Sequence, residues 1–213
     1  MAFMLGILCI PLGCSEEEST SNMPPPAQAG PDSRATLDPE DIGGLELEEV
    51  SLILPWSETI ISRDPQAAAA SVSITSVELT EEDGYDRMVF TLSADAPFPG
   101  YEIAPVEPPF FMCGSSEEGE DVPEDERGEA IELEGPAWLL VELTPARAHD
   151  DAGRLTADEL PSSPSLPAVT AVHRTCDQGE YVSWILGVRA LGSRRVLELK
   201  NPTRLVVDIH HGG

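Results

Sequence analysis

The feature that most constrains this chain is a hydrophobic alternation of period two that recurs through its C-terminal two-thirds. Successive side chains of a strand point to opposite faces, so apolar residues at every second position make one face that must be buried. In the run Tyr181-Val182-Ser183-Trp184-Ile185-Leu186-Gly187-Val188, the residues Val182, Trp184, Leu186 and Val188 share a face. Leu205, Val207 and Ile209 point one way while Asp208 and His210 point the other, and Leu139, Val141 and Leu143 lie opposite Glu142. Turn chemistry separates these runs. Asp83-Gly84 lies between residues 71–80 and 85–92, Asp177-Gln178-Gly179 precedes Tyr181, and Asn201-Pro202 precedes the last run. No segment carries a helical stripe beyond one short turn expected near residues 145–151. Six to eight strands joined by hairpins predict an all-β domain, an antiparallel sandwich or a partly open barrel. Two long loops, 108–128 and 149–167, interrupt the pattern.

Charge sets the next limit. The chain has 39 Asp plus Glu against 12 Lys plus Arg, a formal charge of -27. Nucleic acids and anionic membrane surfaces need clustered cations, so neither is expected as a partner. Residues 67–213 form a stretch of a common size for one domain, able to bury roughly 70% of its unfolded surface. Residues 14–66 contain Glu16-Glu17-Glu18, Pro24-Pro25-Pro26 and few aromatics, and are expected to be a disordered, extended, acidic and Pro-rich linker. Within it Val50-Ser51-Leu52-Ile53-Leu54-Pro55-Trp56 is the one apolar island, read as a short strand docking on the domain in preference to a sticky tether segment.

Residues 1–13 are uncharged and almost wholly apolar, and Cys14 is followed at once by Ser15 and three glutamates. A short apolar core, a small residue and a processing site read as a signal peptide. Pro11-Leu12-Gly13-Cys14 resembles a bacterial lipobox, which implies acylation of Cys14 and a membrane anchor for an envelope lipoprotein. The alternatives are an ordinary signal peptide or a buried N-terminal strand with an inert Cys.

Five segments carry a family resemblance. Gly84-Tyr85-Asp86-Arg87-Met88-Val89-Phe90 resembles the opening motif of the AMIN-like domain of bacterial envelope lipoproteins. Pro99-Gly100-Tyr101, Leu143-Thr144-Pro145-Ala146-Arg147-Ala148-His149-Asp150, Trp184-Ile185-Leu186-Gly187-Val188 and Asn201-Pro202-Thr203-Arg204-Leu205-Val206-Val207-Asp208-Ile209 follow in the family's order. The likeness runs from about residue 72 to residue 211. It implies a β-sandwich of two small sheets. It also implies a non-catalytic module located in the periplasm or at the cell surface, and a ligand in cell-wall peptidoglycan or an envelope complex. The other reading is an interaction lipoprotein that binds another envelope protein and has no affinity for glycan.

Candidate chemistry is sparse. Cys113 and Cys176 are the cysteines left beyond Cys14 after signal cleavage, and two Cys in an exported domain suggest a disulfide; two separate thiols are the alternative. Asp86 and Arg87 are candidate binding residues with two readings: Arg87 begins a core strand, where it either pairs with Asp86 or Asp208 to hold sheet register or is itself a carboxylate-binding fork for a wall peptide. Arg204 is the other candidate binding cation. The acidic run Glu117, Glu118, Glu120, Asp121, Glu124, Asp125, Glu126 lacks the spacing of a calcium loop and reads as a solvated loop. His149 beside Asp150 reads as a surface turn, and Trp184 as core. No nucleophile elbow, metalloprotease helix or phosphate-binding loop occurs, so no enzyme, metal or cofactor is expected.

Overall fold

Strands dominate because the alternating runs find partners on both sides. The structure, a computed structural model, describes residues 45–46, 49–66, 71–113 and 130–212. The expected signal peptide, Cys14, most of the acidic tether and the acidic run 117–126 lie outside the described residues. Thirteen strand segments form β1 (Val50–Ser57), β2 (Ile61–Arg63), β3 (Val72–Glu81), β4 (Tyr85–Leu92), β5 (Gly100–Val106), β6 (Phe110–Phe111), β7 (Ala130–Ile131), β8 (Ala137–Thr144), β9 (Ala146–Arg147), β10 (Val169–Gln178), β11 (Tyr181–Val188), β12 (Arg194–Leu199) and β13 (Arg204–His210). The larger sheet has the order β1-β12-β13-β4-β3-β9, the smaller β10-β11-β8-β5-β2, and β6 pairs with β7 apart from both. No helix occurs among the described residues. Where a helical turn was expected near residues 145–151, Ala146 and Arg147 instead run parallel to Val72 and Ser73 and close the edge of the larger sheet.

The two sheets pack face to face over the alternating residues. Met88, Phe90, Val196, Leu205 and Val207 from one meet Ile103, Leu139, Val141, Leu143, Val182, Trp184 and Leu186 from the other. The Phe90 and Trp184 rings touch at 4.9 Å between centroids. The Asp83-Gly84 turn places Gly84 at φ 86°, where residues with a Cβ are strained. Gly187 has a different reason: a Cβ there would strike the Glu134 carbonyl oxygen and the Ala171 side chain.

β1 and β2 belong to these sheets although they fall inside the stretch 14–66 expected as linker. β1 pairs with β12 and β2 with β5. Pro55 and the irregular register of β1 blur its period, which is why only the apolar island was visible. Val50 and Ile53 join Leu197, Leu199 and Val206 in a second apolar cluster, on the face of the larger sheet turned away from the main core.

On that same outer face the register sets Arg87, Asp208 and Arg195 side by side across β4, β13 and β12. Asp208 has no exposed surface, so facing away from the core does not put it in water. Its carboxylate accepts from Arg87 Nε at 2.7 Å and Nη2 at 2.9 Å, and from Arg195 Nε at 2.8 Å. Burial lowers and the Asp208 partnership raises the Arg87 pKa, and the net direction is upward. The Arg195 guanidinium lies 4.5 Å from the Trp56 ring centroid, a cation–π contact supplied by β1.

Two further buried acids tie the sheets together. Asp86 on β4 accepts from the backbone N–H groups of Ala168 and Val169 at 2.8 and 2.7 Å, where β10 begins. Glu198 on β12 accepts from Arg63 Nη1 at 2.6 Å and from the Tyr101 hydroxyl at 3.2 Å, reaching β2 and β5. Burial pushes the Glu198 carboxyl up from its ordinary 4.5, against the pull of Arg63 and Tyr101.

Removing Asp208 leaves two buried guanidiniums without their anion. Asp208→Ala is expected to cost about 3–5 kcal/mol in urea unfolding, and a variant carrying Arg87→Met, Asp208→Leu and Arg195→Met together is expected to lose less than Asp208→Ala alone. For Glu198 the raised pKa means that folding favours the protonated form. That contribution is complete below the ordinary 4.5 and is lost as pH rises through the folded value. Glu198→Gln stays neutral, so it is expected to melt above the wild type at pH about 7. The gap is expected to close as the pH falls from the folded value to the ordinary 4.5; thermal melts from neutral pH down to that point check it, and a constant gap would contradict the burial argument.

Candidate binding groove

With Asp86 linking the sheets at one place and Glu198 at another, the side between β3, beyond its short pairing with β9, and edge strand β10 is left to be closed by a loop. Residues 149–167 span it. Thr156 is the main fastening, its hydroxyl donating to the Ile74 carbonyl of β3 at 2.6 Å and its N–H to the Ala148 carbonyl at 2.8 Å. On the other side the Val172 N–H of β10 donates to the Ser162 carbonyl at 3.0 Å. Asp150 shapes the start of the loop: the Arg154 backbone N–H, and then its side chain, hold the Asp150 carboxyl below the usual range.

The loop does not fill the opening. A groove of about 310 Å³ remains, with Val77, Val172, Leu160 and Trp184 as its apolar surface and Asp158, Glu159 and Arg174 as its charged one. Met112 contributes a wall, and it is held there by chemistry at Cys113. Cys113 and Cys176 form a disulfide, with Cα atoms 5.0 Å apart. The Cys113 N–H also donates to the Thr175 carbonyl at 2.9 Å, so this segment covers part of the β10 edge.

Arg174 is the cation of the groove. Its register partner is Trp184, which puts it on the core-facing side of the smaller sheet. Its Nη2 donates to Glu159 at 3.2 Å, and its Nη1 lies 3.8 Å from Asp177, too long for a hydrogen bond. Asp177 faces Arg174 with Oδ2, while its Oδ1 accepts from the Ala148 N–H at 3.0 Å and meets His149 Nδ1 at 2.8 Å. A guanidinium has five N–H donors. Arg174 therefore keeps donors to offer to a ligand.

The residues singled out from sequence are placed as follows. Asp86 is fully buried, bonded to β10 and to His211 Nε2 at 2.8 Å. Arg87 is buried against Asp208, on the opposite side of β4 from Asp86. Arg204 pairs with Glu49 on the outer face. None of the three lines the groove. His149 is joined to Asp177, and Trp184 is both core and groove floor. Arg174 was missed, because no motif contains it and the strand register that aims it inward is irregular.

The family comparison adds to this geometry. The chain matches the AMIN-like domain over residues 72–211, about two-thirds of its length, and it belongs to that family. Domains of this kind are binding modules and occur in periplasmic or envelope proteins. No curated protein and no solved structure is significantly similar to the chain.

The disulfide closes a loop between residues 63 apart in sequence, which the chain-entropy model values at roughly 4 kcal/mol. Replacing both Cys113 and Cys176 by Ser is expected to lower urea stability by about 2–4 kcal/mol and to leave the strand content seen by circular dichroism unchanged. An unaltered unfolding midpoint would show that the bond constrains nothing.

Proposed function

We propose that the protein is a non-catalytic cell-envelope module, anchored through acylated Cys14, that binds peptidoglycan by the groove between β3 and β10. The observation that carries this reading is that the family match runs from β3 through β13 and so takes in both walls of the groove and the loop that closes it. The acidic stretch from Ser15 onward would serve as the spacer between membrane and sandwich.

Charge sets how such binding must work. A chain of net charge -27 is repelled at long range by a wall with acidic stem peptides. Contacts must then be local, and screening the repulsion helps them. The soluble chain from residue 15 onward, without its lipidated Cys14, is expected to co-sediment with purified sacculi, and to do so more completely at about 500 mM than at about 50 mM NaCl. Failure to co-sediment at either salt concentration would overturn wall binding.

One observation favours a protein partner as a second reading. Trp56, Ile60 and Leu191 are large apolar side chains exposed by 37%, 52% and 46%. They fall where the turn after β1 meets the turn before β12, joined there by the bond from Arg194 Nη2 to the Thr59 carbonyl. Such residues at one end of an acidic sandwich suit contact with another envelope protein.

A further inference from the structure

We infer that the groove receives the free C-terminal carboxylate of a short wall peptide, which docks on Arg174 by displacing Glu159. The inference rests on the peptidoglycan-binding reading and assigns its contact chemistry.

Three observations converge on Arg174. It is the one basic side chain, apart from His173, among the residues that line the groove. Its side chain is 17% exposed, so the guanidinium is partly withdrawn from water yet open toward the cavity. Its hydrogen-bonded partner, Glu159, is 73% exposed, and its second acid, Asp177, has Oδ2 3.8 Å away, beyond hydrogen-bond reach, while its Oδ1 serves the Ala148 N–H and His149. An ion pair to so exposed a carboxylate contributes little, so giving it up costs little. A ligand carboxylate entering the groove would meet the same guanidinium at a more enclosed point and could take two N–H donors at once, the geometry in which Arg outperforms Lys.

The remaining surface specifies what the carboxylate is attached to. Val77, Val172, Leu160 and the Trp184 indole offer apolar contact, and a volume of about 310 Å³ has room for one or two small residues. Bulkier side chains would collide with the loop at Ala157, which is itself buried. A peptide ending in small residues fits the groove. The other cations named from sequence lie outside the groove, Arg87 buried against Asp208 and Arg204 paired with Glu49 on the outer face.

Glu159 makes the inference separable from a structural role for Arg174. If Glu159 is a competitor that the ligand displaces, removing its charge must strengthen binding, whereas a Glu159 that merely helps to shape the groove would weaken it on removal. The experiment is titration of the soluble chain from residue 15 onward with acetyl-D-Ala-D-Ala, followed by the indole N–H resonance of Trp184, with Trp56 and Trp138 as internal controls. Saturable shifts at Trp184 are expected. Affinity is expected to fall about tenfold or more in Arg174→Ala, to fall less in Arg174→Lys, and to rise about two- to fivefold in Glu159→Gln. The C-terminal amide of the same peptide is expected to bind about tenfold more weakly than the acid.

Equal binding of acid and amide would overturn the inference, as would unchanged affinity in Arg174→Ala or weakened affinity in Glu159→Gln. Preference for acetyl-L-Ala-L-Ala would overturn the wall source in favour of a protein C-terminus. Melting temperatures of each variant guard against misfolding, and Glu159→Gln, at an exposed position, tests the idea even if Arg174→Ala is unstable. Sacculi that still retain the protein when no peptide binds would sink the groove assignment alone. Peptide binding without retention on sacculi would leave the groove assignment standing and remove the wall-binding reading.

Discussion

The carboxylate of Asp208 is the point on which the larger sheet depends. It sits on the face turned away from the main core, yet it is buried and holds Arg87 on one side and Arg195 on the other. Because these three residues are direct register partners on adjacent strands, any slip of one residue would send one charge into the apolar core and leave another without its partner. The triad carries one surplus positive charge, and the rings of Trp56 and Tyr85 face the Arg195 guanidinium at 4.5 and 5.2 Å. A buried cation of this kind needs cover. β1 supplies it with Trp56, and Val50 and Ile53 extend the same cover over Leu197 and Val206. The sandwich is thereby completed by a strand that lies ahead of the family match.

The inward-facing acids do a different job. Asp86 and Glu198 each reach from the larger sheet to the smaller, one to backbone N–H groups and one to Arg63 and Tyr101. They fix how the sheets sit at those places, and the loop 149–167 closes the side between β3 and β10. A loop fastened at Thr156 and Ser162 and backed by a disulfide leaves a recess between its anchors. The groove in this fold thus arises where the two sheets are bridged by loop instead of by strand.

Much of this was legible beforehand, and for a clear reason. Alternation is a local property, so Val182, Trp184, Leu186, Leu205, Val207 and Ile209 disclosed their common face without any knowledge of partners. The resemblance to AMIN-like domains rested on the same strands, and Asp86 and Arg87 within its opening motif turn out to act in folding, on opposite sides of β4. Sequence left open whether Arg87 would pair with Asp86 or Asp208; the pleat excludes the first, because neighbouring residues in a strand diverge. The segment at residues 145–151 looked helical only because Ala-Arg-Ala has helical propensity, and the parallel pairing of Ala146 with Val72 overrode it.

What the sequence determined by itself was therefore the fold class, the faces of the long strands and the two cysteines able to bridge. What only the tertiary structure decided was the direction in which Arg174 points. Counting back from the turn, with Gln178 opposite Tyr181 and Cys176 opposite Ser183, an unbroken ladder would set Arg174 against Ile185 and turn it away from the core. β10 instead carries a bulge between Arg174 and Cys176, and Arg174 comes to lie beside Trp184 at the groove. An extra residue in one strand leaves no mark on hydrophobic periodicity, since it is defined by the pairing of two strands and not by either alone.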